Sequence, residues 1–531
     1  MPALEKHAVL IVGAGPTGLV LGIELARRGV PFQLIDRLTE PRGWDRAIFI
    51  KSRTLEVFAG LGMDDAFLQR GQVVQGIDVY SEAERVAGYR FDHLDTPYPY
   101  ILSIPENETE RLLIERLEQL GGRVERGVEF LGLEQTETRI RARLRSAGAG
   151  ERVMAVGWVV GTDGLNSPVR DAINDSFDGK EYEMLWGVVD GHISGWRHPR
   201  DITCAQLSPP VVIPFPLGED RWRIYFRPDP GKSDVLQDVG DRLMAMSPGA
   251  ELGDIDEPRF FHAHSRVARR FRAGRVIIAG DAAHASNPIE GHGMNIGIQD
   301  AYNLGWKLAL AVNGKATEAL MHSYEAERRP VAQAIVRSGD EAEVTVSRSG
   351  YEARQKAVDF LSTPEGQEFA ALAESELHFG YDYSPIVAEI GAGPALLASR
   401  TKIGYRVGEA AGLVGRNGAV RLHDLISGPD HTMFLMVGDE VLLPDAKAIS
   451  LLRAALDRIS GEPRGFVVTK SATAPDPFPD DVLWDPDGNL HDRLAAPGST
   501  LCIVRADGHL GFRCHPPAFD VLGVYLQQII R

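Results

Sequence analysis

Cysteine is nearly missing from this chain: 3 of 531 residues, Cys204, Cys502 and Cys514. They form no CxxC pair, no paired metal spacing and no disulfide framework, so a stapled secreted scaffold is excluded and no metal centre is expected. Positive charge is also scarce. The chain has 57 Lys and Arg against 74 Asp and Glu, a net charge of −17, which excludes the clustered cations of a broad nucleic-acid footprint. Long apolar runs are absent as well. Ala8 to Ile23 carry no charge, but Gly-Ala-Gly-Pro interrupts them, and Glu24, Arg27 and Arg28 follow without a small-residue cleavage site. No uncharged run reaches the ~18 residues needed to cross a bilayer. These absences predict a cytoplasmic protein with no membrane span and no nucleic-acid partner.

What the sequence does contain is a globular balance, 44% hydrophobic and 25% charged residues, which excludes wholesale disorder. At roughly 150 residues per domain, the length predicts about three or four units. Glycine is in excess, with 56 residues, beyond the usual ~7%. Glycine beyond the needs of turns points to backbone packed close to a ligand.

The N-terminal segment is the most informative. His7 to Val12 is a short apolar run that reads as a buried strand. Gly13-Ala-Gly15-Pro16-Thr17-Gly18 follows, then apolar residues at helical spacing as far as Arg28-Gly29, then a second strand, Val30 to Ile35, closed by Asp36. Gly13 permits a tight turn, Gly15 lets backbone approach a pyrophosphate, and Gly18 lets helix and strand pack closely. The helix start offers unpaired N–H groups to phosphate, and Asp36 can accept hydrogen bonds from a ribose. Pro16, Thr17 and Arg37 complete this candidate dinucleotide site. The fingerprint alone leaves FAD and NAD both open.

Two further motifs matter in combination. Val159-Val-Gly161-Thr-Asp163-Gly164 reads as a strand ending in a polar turn, with Asn166 or Ser167 capping a short helix. Arg275 to Leu308 reads as a strand ending at Gly280-Asp281, a glycine-rich loop through Pro288 to Gly293-Met294-Asn295, and a helix of about four turns. His284 reads as a structural hydrogen-bonder, Arg53 and Glu56 as a helix-face pair, and Trp306 and Leu308 as core.

In this order and spacing the three motifs resemble the FAD-dependent aromatic hydroxylases, single-component flavoprotein monooxygenases of the phenol-hydroxylase and para-hydroxybenzoate-hydroxylase type. The resemblance covers essentially the whole chain. It implies that Gly13, Gly15, Gly18 and Asp36 hold the ADP half of FAD. Arg46 would lie near the flavin, Asp163 and Gly164 in a segment associated with both FAD and the pyridine nucleotide, Asp281 at the ribityl or pyrophosphate portion, and Pro288 over the flavin ring. Gly293, Met294 and Asn295 would present backbone to the ring's pyrimidine edge. Three departures stand out. Glu290-Gly291-His292-Gly293 replaces the usual Gly-Gly-Gln-Gly, Glu106 replaces a Gln at the ribityl chain, and Asn166 replaces a His or Ser.

The reaction implied is hydroxylation of a phenolic or related small aromatic substrate. NADPH or NADH serves as transient reductant, and O2 is activated as a flavin C4a-hydroperoxide. A single dinucleotide fingerprint without CxxxxC suits such an enzyme rather than a disulfide reductase. Epoxidation, NAD(P)H oxidation without product and non-catalytic binding of an aromatic ligand remain as alternatives. The halogenase segment Trp-x-Trp-x-Ile-Pro is absent. Residues 182 to 230 alternate apolar and polar and read as strands roofing a pocket, with Trp186, Phe215, Arg223 and Tyr225 as candidate lining. Pro288, Tyr225 and Arg46 are the candidate catalytic residues.

Residues 316 to 375 read as helices, and a Gly/Pro-rich boundary is expected near Gly391 to Pro394. Beyond it, Met433 to Val437, Gly465 to Thr469 and Leu501 to Arg505 read as buried strands, Asp507-Gly508 as a hairpin turn and Pro517 to Ile530 as a closing helix. This tail resembles the thioredoxin-like C-terminal domain of the phenol-hydroxylase branch, which implies a structural or homodimer-supporting role. The expected fold is α/β. A Rossmann-like FAD-binding domain (1–181, with substrate-domain strands around 73–104, and 266–395) carries an inserted β-sheet substrate domain (182–265) and a thioredoxin-like C-terminal domain (396–531).

Overall fold

The computed structural model describes residues 8–41, 47–81, 83–146, 148–218, 220–347, 349–391, 400–437, 464–471, 480–494 and 499–531. The expected candidate Arg46 and most of the Gly391–Pro394 boundary lie outside them.

The first sheet has six strands among the described residues. Val9–Val12 is central, flanked by Phe32–Asp36 and Trp158–Gly161 in parallel register, with Val124–Arg126 and Val276–Ile278 outside them. All four residues of Val9–Val12 are buried, as an apolar run in a parallel sheet covered on both faces requires. The chain then turns through Gly13 at φ 104°, where a Cβ would lie 2.3 Å from the Thr162 carbonyl oxygen. Helix Pro16–Ala26 follows, and at Gly18 a Cβ would meet the Gly13 carbonyl oxygen at 2.0 Å. Both glycines are therefore needed by backbone packing, as the fingerprint predicts.

The second large sheet has nine strands among the described residues. It draws Gly76–Ser81 and Glu84–Arg90 from early in the chain and combines them with Phe177–Ser194, Ile202–Gln206, Val212–Pro216, Arg221–Phe226 and Arg259–Ala268. Phe177–Ser194 is one 18-residue strand, so it begins ahead of the expected boundary at 182. A three-stranded antiparallel sheet over Val128–Gln135, Ile140–Ser146 and Gly150–Val156 was not anticipated. The helix after the glycine-rich loop is also longer than expected, Gly293–Val312, about five and a half turns. Helices Glu318–Val346, Tyr351–Leu361 and Pro364–Ser375 fill the stretch read as helical.

In the tail, Thr432–Val437 runs parallel to Arg464–Thr469 and antiparallel to Thr500–Val504. Thr500–Val504 in turn forms a hairpin with Leu510–Cys514 through Asp507-Gly508, and helix Phe519–Ile529 closes the unit. Ala388–Ile390 also joins this sheet, beside Leu510–Cys514. The fold is thus mixed α/β, with a Rossmann-like sheet and two further large sheets. Among the described residues no helix is long and apolar enough to cross a membrane.

Candidate active site

A continuous cavity of about 500 Å³ starts at the glycine turn and ends against the nine-stranded sheet. At its near end lie Gly13, Gly15, Pro16 and Thr17, then Asp36 and Arg37. Gly15 caps the helix without a side-chain hydrogen bond, and a Cβ there would have nothing within 4 Å, so the space beside the helix start is open. The Asp36 carboxylate is oriented by N–H bonds from Ala14 and Leu38, each 2.8 Å. Gly18 does not line the cavity; its role is the packing described above.

The middle of the cavity is bordered by Glu106, Asp163, Gly164 and Asp281. Glu106 starts helix Glu106–Gln119, and its carboxylate accepts from the Ala47 N–H at 3.3 Å. Asp163 is largely internal: it accepts from the Ser167 hydroxyl at 2.5 Å and the Val169 N–H at 3.0 Å. Burial pushes its pKa up to about 6, against the pull of those two hydrogen bonds. Of the two candidate caps, Ser167 holds the short helix, accepting from Arg170 N–H. Asp281 is exposed, in the single turn Gly280–Ala282 after the last strand.

The far end is aromatic. Strand Arg221–Phe226 alternates, so Trp222, Ile224 and Phe226 pack into the core behind the sheet while Tyr225 faces the cavity. Phe215 stands edge-on to Phe49 with centroids 4.5 Å apart, and Tyr225 edge-on to Phe215 at 5.5 Å. Trp186 and Ile213 join them. Arg223 is the correction here. It shares the face of Tyr225, but its guanidinium makes a two-pronged bond to Asp190 on the adjacent strand, 2.8 Å at each prong, and a third bond to the Ala47 carbonyl. It does not line the cavity, because a buried cation is held by its nearest carboxylate.

The glycine-rich loop forms the side of the cavity with Ser286, Pro288, Ile289, Gly291, Gly293 and Met294. The two unusual residues of this loop turn the other way. Glu290 is held by the Ser338 hydroxyl at 2.8 Å, and burial raises its pKa. His292 lies 2.7 Å from the Glu376 carboxylate through Nδ1. Burial opposes its protonation, but the Glu376 hydrogen bond and charge outweigh that, and its pKa is raised. The Asn295 side chain is also turned from the cavity. It accepts from Lys51 N–H at 2.9 Å and donates to the carbonyls of Phe49 and Gly291 at 2.8 and 3.1 Å. His284 is structural, with Nε2 2.7 Å from Asp300, which also binds Arg328 at 2.6 Å. Sequence reasoning missed Phe49 and Ile213, although Ile48-Phe49-Ile50 is a short apolar run of strand type. Nothing in the sequence marked the buried Lys51, which binds the Glu290 carbonyl and the Glu374 carboxylate.

A dinucleotide turn opening into an aromatic chamber agrees with what the known proteins show. The model of the family described as FAD binding domain matches residues 6–339. 6-Methylpretetramide 4-monooxygenase from Streptomyces rimosus is 30% identical over 99% of this chain and 94% of its own length. The chain belongs to this family. It is an FAD-dependent aromatic monooxygenase. Pentachlorophenol 4-monooxygenase of Sphingobium chlorophenolicum is 33% identical over 62% of this chain and 63% of that protein. Among solved structures, an anhydrotetracycline hydroxylase from Streptomyces rimosus superposes with TM-score 0.76 at 26% identity, covering 99% of both chains. The flavin-dependent monooxygenase PieE, in complex with FAD and substrate, shares the fold with TM-score 0.80 at 22% identity and the same coverage. FAD is the cofactor of this monooxygenase, and NAD(P)H and O2 are its co-reactants. The open Gly15 backbone, the oriented Asp36 and the narrow glycine loop fit an extended dinucleotide ending in a flat ring.

Proposed function

We propose that this monooxygenase hydroxylates a fused-ring phenolic compound held against Trp186, Phe215 and Tyr225. The observation that carries this reading is the continuity of the cavity from the Gly13–Thr17 turn to the aromatic wall. A flat cofactor anchored at one end thus reaches a ligand enclosed at the other. Multiple rings are favoured because two relatives aligned over nearly the whole of both chains are named for 6-methylpretetramide and anhydrotetracycline. The one-ring relatives leave more of this chain unmatched: pentachlorophenol 4-monooxygenase covers 62% of it and a p-nitrophenol 4-monooxygenase 70%.

Bound FAD supplies hydride acceptance and oxygen activation. Gly13, Gly15, Pro16, Thr17, Asp36 and Arg37 would hold the ADP half, with Gly18 packing the helix behind them, and Glu106, Asp163 and Asp281 the middle portion. Pro288, Gly293 and Met294 would border the ring. Helix Gly293–Val312 begins without a side-chain cap, so its positive end favours negative charge at that place. Tyr225 orients the phenolic oxygen. The chamber walls keep water out. We also read the division near 1–181, 182–265, 266–395 and 396–531 as the domain plan, with the first boundary moved back to Phe177 and Ala388–Ile390 joined to the tail, the tail as thioredoxin-like and homodimer-supporting, and the cytoplasm as its location. The strand order and directions of the tail support the thioredoxin likeness.

Anaerobic stopped-flow reduction of the FAD-loaded protein by NADPH and by NADH, with phenols of one to four rings, tests the function. Reduction accelerated by anhydrotetracycline and little affected by pentachlorophenol is the expected result. Acceleration by the single ring alone would overturn the substrate class, and equal rates in every case would favour an NAD(P)H oxidase.

A further inference from the structure

Pro288 sits on a single turn, Pro288–Glu290, and the cap of that turn is Asn287, whose Oδ1 accepts from Ile289 N–H at 3.1 Å. Asn287 is 2% exposed. Its Nδ2 donates to Glu343 at 2.7 Å, so both ends of the amide are fixed and it cannot flip without losing a partner. Helix Glu318–Val346, which carries Glu343, comes so close that a Cβ on Gly339 would lie 3.1 Å from the Asn287 Cβ. The other oxygen of Glu343 is held by Arg227. Arg227 in turn lies over the Trp186 ring, 4.3 Å from its centroid. Trp186 and Pro288 both border the cavity. An unbroken chain of contacts, Trp186, Arg227, Glu343, Asn287, thus runs behind the cavity from its aromatic wall to the turn bearing Pro288.

The geometry points to Arg227 as a positioning residue that sets the Pro288 turn according to where Trp186 stands, and so couples a ligand at the aromatic wall to the flavin-side loop. A buried ion pair contributes little net stability compared with an apolar replacement, but it fixes relative placement. Stacking on the indole adds a second restraint on the same guanidinium. Arg227 does not line the cavity, so its effect passes through Glu343 and Asn287. The coupling rests on the proposed hydroxylase function; the setting of the turn does not.

The test uses the full-length FAD-loaded chain and three variants, Arg227→Met, Glu343→Gln and the double variant Arg227→Met/Glu343→Met, which leaves no unpaired charge. The first readout needs no ligand: hydrogen–deuterium exchange of the peptide 286–293, which contains the Ile289 amide. Exchange about tenfold faster in Arg227→Met and in the double variant is expected. The double variant's melting temperature should nevertheless return towards that of the parent. Exchange unchanged in the double variant would overturn the inference, because removal of the chain would then leave the turn as it was. Exchange and melting temperature recovering together would also overturn it, reducing Arg227 to charge balance. The second readout is the ratio of flavin reduction rates with and without anhydrotetracycline, expected to fall at least fivefold in Arg227→Met. An undiminished ratio in that variant would overturn the coupling. If the parent itself shows no response to anhydrotetracycline, the substrate reading fails, while the exchange experiment still decides the role of Arg227.

Discussion

A side chain at position 15 would project into free space at the entrance of the dinucleotide end, where nothing lies within 4 Å of its Cβ. Gly15→Val should therefore fold and lose flavin, with FAD affinity lowered roughly 100-fold or more because the pyrophosphate needs that space. Gly18→Val should instead fail to fold, since its Cβ meets backbone at 2.0 Å. The ratio of flavin to protein absorbance after purification separates the two cases, and a Gly15→Val protein with full flavin occupancy would put the cofactor elsewhere. Tyr225→Phe keeps the ring packed against Phe215 and removes only the hydroxyl. Hydroxylation should slow about tenfold, the worth of one hydrogen bond to a polar oxygen, while reduction by NADPH stays near the parental rate. Product formation at the parental rate would remove Tyr225 from the chemistry. Arg223 shows the limit of reading single residues from sequence. Alternation correctly sets it beside Tyr225, but its partner Asp190 is known only once the register Asp190↔Arg223 is known.

At the level of elements, the departures in the glycine-rich loop find their partners on helices distant in sequence, Glu290 on Ser338 of Glu318–Val346 and His292 at the end of Pro364–Ser375. Helix Pro364–Ser375 ends on Glu376, which adopts φ 60°, a left-handed conformation that costs a non-glycine residue about 1 kcal/mol or more. Its carboxylate is used on both oxygens, by His292 and by Gln299, and Glu374, two residues earlier, holds Lys51. The two contacts fasten this helix to the loop bearing Gly291 and Gly293. Because the folded pKa of His292 is raised above its ordinary 6.5, the clamp's contribution is complete below pH 6.5 and is lost as pH rises through the raised value. His292→Gln should therefore cost about 1–3 kcal/mol in acid to neutral solution and progressively less in alkali, read as the melting-temperature difference from the parent across pH. A difference that grows with pH would contradict the clamp. The strand-turn-helix units around Gly13 and Gly280 were legible because their signals are local. The clamp was not, since His292 and Glu376 are 84 positions apart and neither residue type announces a partner.

The whole molecule is joined by charge as well as by apolar packing. Arg505, at the end of the tail strand Thr500–Val504, is fully buried and binds both oxygens of Glu327 on helix Glu318–Val346, at 2.7 and 2.8 Å. Lys307 binds the same carboxylate at 2.6 Å, and Asp507 of the hairpin turn receives Asn303 at 3.2 Å. Arg53 reaches the Asp507 carbonyl at 2.6 Å. In sequence the segment Val504 to Arg513 reads as a hairpin, and only its docking against three helices, Ser52–Gly60, Gly293–Val312 and Glu318–Val346, explains why a turn should carry so many charges. Burial alone would raise the Glu327 pKa, but Arg505 and Lys307 hold it well below the usual carboxylate range. Its contribution is therefore present above the ordinary carboxylate value and lost as pH falls through the lowered one, so acid should weaken the attachment of the tail. Arg505→Met leaves Glu327 and Asp507 facing each other with one cation fewer in a dry interior. A loss of about 3–5 kcal/mol is expected, the usual result of breaking a buried pair on one side, and the melting curve should divide into two transitions as the tail separates from the flavin-binding part. Arg505→Met/Glu327→Met, with one charge of each sign removed, should recover much of that loss. If Arg505→Met melts in one transition within about 1 °C of the parent, the tail is held by its apolar contacts around Trp306 and Leu320 instead, and the charges serve only to choose its orientation.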